Sequence, residues 1–293
     1  MIITSCGNSI PIAKALARQL KVKYSPLTIS SFPDGDMYLK FNTALKGKTL
    51  VILQSFQPHA DQSLLRIFFA AKTAKDLGAR KVILVAPYLA YMRQDTRFHP
   101  GEAISSRLMA AMLNASVDKI ITIDPHLHRY KSLKEIFTIP AVKITANEAL
   151  AGYIQKHCTN EIIMGPDGES YQWAEDIARR IHIQATVLHK TRFSSRQVQV
   201  KMVTPIPIKG KNVVIVDDII STGHTIAEAA KQAKKMGARS VTAIGVHGLL
   251  VENALLKLKK AGVNTVITTN CIEHPTNRID ITPLLLRELR KER

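Results

Sequence analysis

Val213, Val214, Ile215 and Val216 lead into Asp217 and Asp218, and after Ile219 and Ile220 the chain turns to Ser221, Thr222, Gly223, His224 and Thr225. An unbroken β-branched run suits a strand buried on both faces of a parallel sheet, and Thr225 onward has the composition of a helix. The intervening loop therefore stands at a helix N-terminus. There the unpaired backbone N–H groups and the positive end of the helix dipole hold a phosphate, helped by the hydroxyls of Ser221, Thr222 and Thr225. Gly223 lets the backbone come close to that phosphate. Asp217 and Asp218 are placed to accept hydrogen bonds from the hydroxyls of a sugar. Ordinary helix capping accounts for a Ser or a Thr. It does not account for paired acids followed by a polar loop.

Four other segments offer chemistry at what read as strand ends. Arg93, Gln94 and Asp95 follow the apolar stretch 82–88, on the side where ligands of open α/β sheets collect. A guanidinium neutralises phosphate through a bidentate fork, and a Gln hydrogen-bonds a base or a ribose. His126 follows Asp124 and the strand-like run 119–123, and Asp167 stands between Pro166 and Gly168 after the apolar run 162–164. Lys190 and Arg192 precede Phe193-Ser194-Ser195-Arg196-Gln197, a polar stretch suited to a loop that closes over substrates. Phe32-Pro33-Asp34-Gly35-Asp36, taken alone, has the composition of a turn.

In their order along the chain, and from Cys6 to about Arg287, these segments resemble the ribose-phosphate diphosphokinase (phosphoribosyl-diphosphate synthetase) family. The resemblance implies an α/β chain of two tandem type I phosphoribosyltransferase-like domains with parallel sheets, which transfers the diphosphoryl group of ATP to ribose 5-phosphate with Mg²⁺. It assigns Phe32, Asp34, Gly35, Asp36, Arg93, Gln94, Asp95 and His126 to ATP. Ribose 5-phosphate takes Arg192, Asp217, Asp218, Ser221, Thr222, Gly223, His224 and Thr225. His126 and Asp167 face the metal, and Lys190 and Arg192 are catalytic. The family also implies a homo-oligomer, a dimer or higher. Ser221, and the stretch from Gly101 to Ser105, resemble the archaeal-type branch. His224 stands where glycine or alanine is common, and Gly168-Glu169-Ser170 replaces a His-Gly-Gly. Two rivals share the cradle: a phosphoribosyltransferase, and a non-catalytic regulatory relative. The first leaves the ATP-side motifs unused, and retention of Lys190, Arg192, Asp217 and Asp218 argues against the second.

What must position these residues is legible from internal comparison. Residues 47–54, GKTLVILQ, align with 210–217, GKNVVIVD, and 70–80, AAKTAKDLGAR, align with 229–239, AAKQAKKMGAR. Each copy has a strand, a helix and a Gly-Ala-Arg stop, with another apolar strand after it. Such alternation implies parallel sheets covered on both faces. The copies differ where chemistry belongs, since the first strand ends in Gln54-Ser55 and the second in Asp217-Asp218. We place the domain boundary near residue 145, giving domains 1–145 and 146–293, with the segment around Pro283–Arg287 returning to the first domain as in the family.

Forty-one Lys and Arg against 23 Asp and Glu give a net charge of +18, a field that attracts anionic metabolites. The basic residues are scattered over helix faces with no aromatic-interleaved stripe, so a nucleic-acid partner is not expected. No apolar run approaches the ~18 residues of a membrane span, and residues 1–5 lack the basic and apolar regions of a secretory signal, so a cytoplasmic protein is expected, with no membrane partner. Cys6, Cys158 and Cys271 have neither disulfide nor zinc spacing.

Overall fold

The alternation of apolar strands and amphipathic helices becomes two α/β units in the computed structural model, which describes residues 1–159, 161–192, 198–202 and 205–293, without side chains at 169, 171, 188–192 and 198–202. One unit comprises Met1–Ile144, Cys271–Glu273 and Thr282–Arg293, and the other Thr145–Asn270 and His274–Ile281.

The first unit runs β1 (Ile2–Ser5), α1 (Ile10–Leu20), β2 (Lys23–Tyr24), β3 (Leu27–Ser31), β4 (Met37–Phe41), β5 (Thr49–Leu53), α2 (Ala60–Asp76), β6 (Lys81–Ala86), α3 (Ser105–Asn114), β7 (Lys119–Ile123) and β8 (Ala141–Ile144). Its sheet has the order β2-β1-β5-β6-β7-β8 and is parallel throughout. β5 is buried along its whole length, as a strand covered by helices on both faces must be. β3 and β4 stand apart as an antiparallel hairpin that pairs only with itself.

The second unit runs α4 (Asn147–His157), β9 (Glu161–Gly165), α5 (Tyr171–Arg180), β10 (Ala185–Arg192), β11 (Val198–Met202), β12 (Asn212–Ile220), α6 (His224–Lys235), β13 (Ser240–Gly248), α7 (Ala254–Lys260), β14 (Thr265–Thr269) and β15 (Asn277–Ile279). Its sheet has the order β11-β10-β9-β12-β13-β14-β15, and only the β10–β11 pair is antiparallel. β12 does not stop before the acids. Asp217 is in register with Gly245 on β13, and the pairing continues to Ile220 opposite Gly248. Ladder hydrogen bonds are indifferent to side-chain type, so the strand persists past its apolar stretch, and Asp217, Asp218 and Ile219 are half-buried. α6 buries Ile226, Ala227, Ala229, Ala230 and Ala233, a mostly alanine face that lets the helix lie close to the sheet.

The aligned segments occupy matching places in the two sheets, β5 between β1 and β6, and β12 between β9 and β13. Both copies also carry the same backbone clasp. Gly47 N–H donates to Gly78 C=O at 2.8 Å and Arg80 N–H to Lys48 C=O at 2.8 Å; Gly210 N–H donates to Gly237 C=O at 2.9 Å and Arg239 N–H to Lys211 C=O at 2.8 Å. The Gly-Lys before each strand and the Gly-Ala-Arg after each helix are the two halves of one latch.

The last helix, α8 (Thr282–Leu289), belongs to the first unit and packs on α1. Glu292 accepts from Lys81 at 2.7 Å and from Lys119 at 2.6 Å, while Glu288 lies 3.4 Å from Lys119 and 2.6 Å from Lys291. Lys81 and Lys119 open β6 and β7, so these pairs tie the C-terminal segment to the N-terminal edge of the sheet. No helix among the described residues is long and apolar enough to cross a membrane.

Candidate active site

In the second unit the cradle forms around the end of β12. Gly223 is the N-cap of α6 in the left-handed conformation, φ 74° and ψ 6°. A Cβ there would meet Leu258 Cγ at 3.1 Å, so the position is confined by backbone angle and by packing alike. With no side chain to cap it, the first turn of α6 keeps its N–H groups for a ligand. Ser221 and Thr222 are half-buried beside it and Thr225 is exposed in the first turn. His224 Nε2 lies 3.3 Å from Glu228 Oε1 one turn along, so what His224 offers the loop is its N–H, with the imidazole directed along the helix.

Asp217 Oδ1 accepts from the Asp218 N–H at 3.0 Å. Desolvation, followed by the charges of Asp218 and Asp167, pushes the Asp217 carboxyl well above the usual carboxylate range. Asp167, on the loop after β9, is therefore within electrostatic reach of the β12 acids. Its loop is built by Ser170, whose hydroxyl donates to Asp167 C=O at 2.7 Å and accepts from Asp167 N–H at 3.2 Å, while Ser170 N–H donates to Asp167 Oδ1 at 3.2 Å. A Cβ at Gly165 would lie 2.6 Å from Ser170 Oγ, so the absence of a side chain there admits this turn. Gly168-Glu169-Ser170 is thus part of a turn closed by hydrogen bonds between Ser170 and Asp167. Asp218 and Asp167 both repel a charge on Asp217, and a hard divalent cation would offset that repulsion.

The corresponding place in the first unit is closed. Gln54 and Ser55, aligned with Asp217 and Asp218, are buried. Gln54 Oε1 accepts from Asn8 N–H at 3.2 Å, Gln54 Nε2 donates to Ser63 Oγ at 3.3 Å, and Asn8 Nδ2 donates to Ser55 C=O at 3.1 Å. A neutral network fills the space that the second copy leaves to a ligand.

The first unit instead carries polar residues on the loops after β6 and β7. Arg93 is exposed, Gln94 half-buried and Asp95 buried, so adjacent residues of one motif face different surroundings. Ser105 Oγ donates to Gln94 Oε1 at 3.0 Å, fastening Gln94 to the first turn of α3. Tyr91, at φ 67°, donates a short hydrogen bond from its hydroxyl to Asp61 on α2, and burial followed by that carboxylate raises its phenol well above the ordinary value. His126, at φ 53°, sits on the β7 loop with its ring centroid 3.7 Å from that of His128. Phe32, Asp34, Gly35 and Asp36 lie at the tip of the β3–β4 hairpin. There Phe32 N–H donates to Asp36 C=O at 2.8 Å, Asp36 N–H to Asp34 Oδ1 at 3.2 Å, and Phe32 packs edge-on to Tyr38 at 5.7 Å. The turn is real and its tip is fully exposed.

Lys190 and Arg192 are on β10, paired with Val200 and Val198 of β11. Their side chains, and Phe193–Gln197, lie outside the described residues. Arg129, which no sequence motif singles out, donates from Nη1 to Asp95 Oδ1 at 2.7 Å, and its guanidinium carbon lies 5.2 Å from the Phe98 ring centroid. Its sequence signal is slight, a lone arginine three residues after His126.

Residues 1–116 match the family profile described as the N-terminal domain of ribose phosphate pyrophosphokinase, and residues 132–279 match the phosphoribosyl transferase domain. The chain is similar to a ribose-phosphate pyrophosphokinase of Methanopyrus kandleri, at 32% identity over 97% of this chain and 96% of the relative. It is also similar to those of Methanothermobacter thermautotrophicus, at 34% over 97% and 98%, and Pyrococcus furiosus, at 35% over 94% and 98%. Among solved structures, the phosphoribosylpyrophosphate synthetase of Mycobacterium smegmatis aligns with a TM-score of 0.87 and 27% identity, covering 99% of this chain and 98% of that one.

Proposed function

The chain belongs to the ribose-phosphate pyrophosphokinase family, and from that premise we propose that it converts ATP and ribose 5-phosphate to phosphoribosyl diphosphate and AMP. The 1-hydroxyl oxygen of the sugar attacks the β-phosphorus, the bond from that phosphorus to the α,β-bridging oxygen breaks, AMP departs with the bridging oxygen, and the hydroxyl proton goes to solvent. Little covalent chemistry falls to the protein. Its contribution is positioning and charge neutralisation, as in phosphoryl transfer generally.

The observation that carries this reading is the left-handed Gly223 at the start of α6, on the same strand end as Asp217 and Asp218. The N–H groups and hydroxyls of residues 221–225 take the 5-phosphate, and the two acids accept hydrogen bonds from the ribose hydroxyls. Arg93 and Gln94 serve the nucleotide, with Asp95 beside them. The exposed hairpin tip, Phe32 and Asp34–Asp36, serves the adenine side. Lys190 and Arg192 bring positive charge to the transferring group when their loop closes, which stabilises the transition state more than the ground state.

His126 on the nucleotide side and Asp167 on the sugar side are the residues we assign to Mg²⁺, directly or through its water. Where bound, Mg²⁺ would supply charge neutralisation to the phosphate oxygens. We assign the protein to the cytoplasm as a homo-oligomer of two or more chains, with no nucleic-acid or membrane partner. Incubation with ATP, Mg²⁺ and ribose 5-phosphate, with products resolved chromatographically, tests the reaction. AMP and phosphoribosyl diphosphate in equal amounts are expected, and ADP as the sole nucleotide product would refute the reading.

A further inference from the structure

We propose that Asp95 and Arg129 are a positioning pair that holds the Arg93–Gln94 segment for the triphosphate, so that Asp95 serves the nucleotide through Arg129 and not by touching it. The inference rests on the reading of the first unit as the nucleotide side. The side chain of Asp95 is 2% exposed, too enclosed for a ligand, and a buried carboxylate needs a compensating donor. Arg129, on the β7 loop, provides it through the 2.7 Å contact between Nη1 and Oδ1. The same guanidinium lies over the Phe98 ring, so one side chain fixes both ends of the turn 95–98. Tyr130 continues the tie, donating from its hydroxyl to Asp95 C=O at 3.2 Å and lying 3.0 Å from Ser106 Oγ. Ser106 N–H donates to Gln94 C=O at 3.3 Å.

The β6 loop, the first turn of α3 and the β7 loop are thereby stitched together around residues 94 and 95. Arg93, exposed on its outer side, takes its direction from this backbone. Because the side chain of Arg129 is itself 53% exposed, burial does not hold it in place; its orientation comes from the Nη1 hydrogen bond to Asp95 and the cation–π contact with Phe98. A lysine offers a point charge to Asp95 without the planar stacking.

Arg129→Ala, Arg129→Lys, Asp95→Asn and the double variant Asp95→Asn/Arg129→Ala are compared with wild type in steady-state kinetics, with ATP and ribose 5-phosphate varied separately. Binding of a non-hydrolysable ATP analogue with Mg²⁺ is measured by calorimetry. Arg129→Ala is expected to raise both the KM for ATP and the analogue Kd about tenfold or more, with the KM for ribose 5-phosphate changed by less than about twofold. Arg129→Lys should fall between. The double variant should be little worse than either single one, since the two residues act as a unit. Equal increases in both KM values, unaltered analogue binding, or independent multiplying effects of the two substitutions would overturn the proposal. Should Arg129→Ala not fold, Arg129→Lys and Phe98→Leu carry the same comparison. Analogue binding is read without turnover, so a wild type that makes no AMP defeats the proposed reaction while leaving this pair testable.

Discussion

Stability and chemistry are expected to fall together at Gly223 and to oppose each other at Asp217. Replacing Gly223 with Val puts a β-branched side chain at a left-handed φ and drives its Cβ toward Leu258, so stability falls together with access for the 5-phosphate. The KM for ribose 5-phosphate should rise by about tenfold or more while that for ATP changes little, and separate titration of the two substrates checks it. Asp217 behaves in the opposite way. Its folded-state carboxyl is raised above the ordinary value of 3.8, first by desolvation and then by Asp218 and Asp167, so ionising it at neutral pH works against folding. Asp217→Asn should therefore be inactive yet melt higher than wild type near pH 7. The gain should shrink as pH falls toward 3.8, where the unfolded chain also takes up the proton. Scanning calorimetry without Mg²⁺ at the two pH values decides. The paired acids and the polar loop were legible in the sequence because neighbours along the chain build them. Arg129 was not, because its partners Asp95 and Phe98 lie on a different loop. Asp95 shows the converse, since a motif read as one ligand set divides into exposed, half-buried and buried positions once the backbone is in place.

Among the elements, the duplicated strand–helix–strand segment was the most legible, because its repeat preserves both the buried faces and the glycines of the clasp. The extent of β12 was less so. The change from aliphatics to acids marks where burial ends, and the ladder with β13 outlasts it. Least legible were the ion pairs of α8 and its terminal turn, since nothing along the chain sets Lys81 and Lys119 apart from the other lysines. Burial alone would raise the carboxyls of Glu288 and Glu292, but hydrogen bonds from Lys119 and from Lys291 or Lys81 outweigh it and leave both below 4.5. Carboxyls lowered in this way stabilise the fold above their unfolded value and lose that contribution as pH falls through the folded one. Lys119→Met should cost about 2 kcal/mol at neutral pH, less than the ~3–5 of a fully broken buried pair because Lys81 and Lys291 remain. Urea denaturation at neutral pH and near pH 3 tests this. The difference from wild type should narrow in acid, and a cost independent of pH would mean that packing, not charge, is what Lys119 supplies.

For the whole molecule, the proposed oligomer has a specific place to be tested. Leu65 and Phe69 on α2, and Leu108 and Met112 on α3, are exposed apolar residues one turn apart on helices that pack together. Leu108→Asp, at the most exposed of the four, should lower the molar mass measured by light scattering, and an unchanged mass would move the interface elsewhere. The first unit is also discontinuous, since residues 282–293 complete it only after every strand of the second unit has been passed. A chain emerging from the ribosome therefore cannot complete its first unit until the second has been translated. For the ~10 s needed to translate the second unit, the N-terminal sheet waits with Lys81 and Lys119 unpaired by the C-terminal segment, a departure from the usual N-to-C completion of domains.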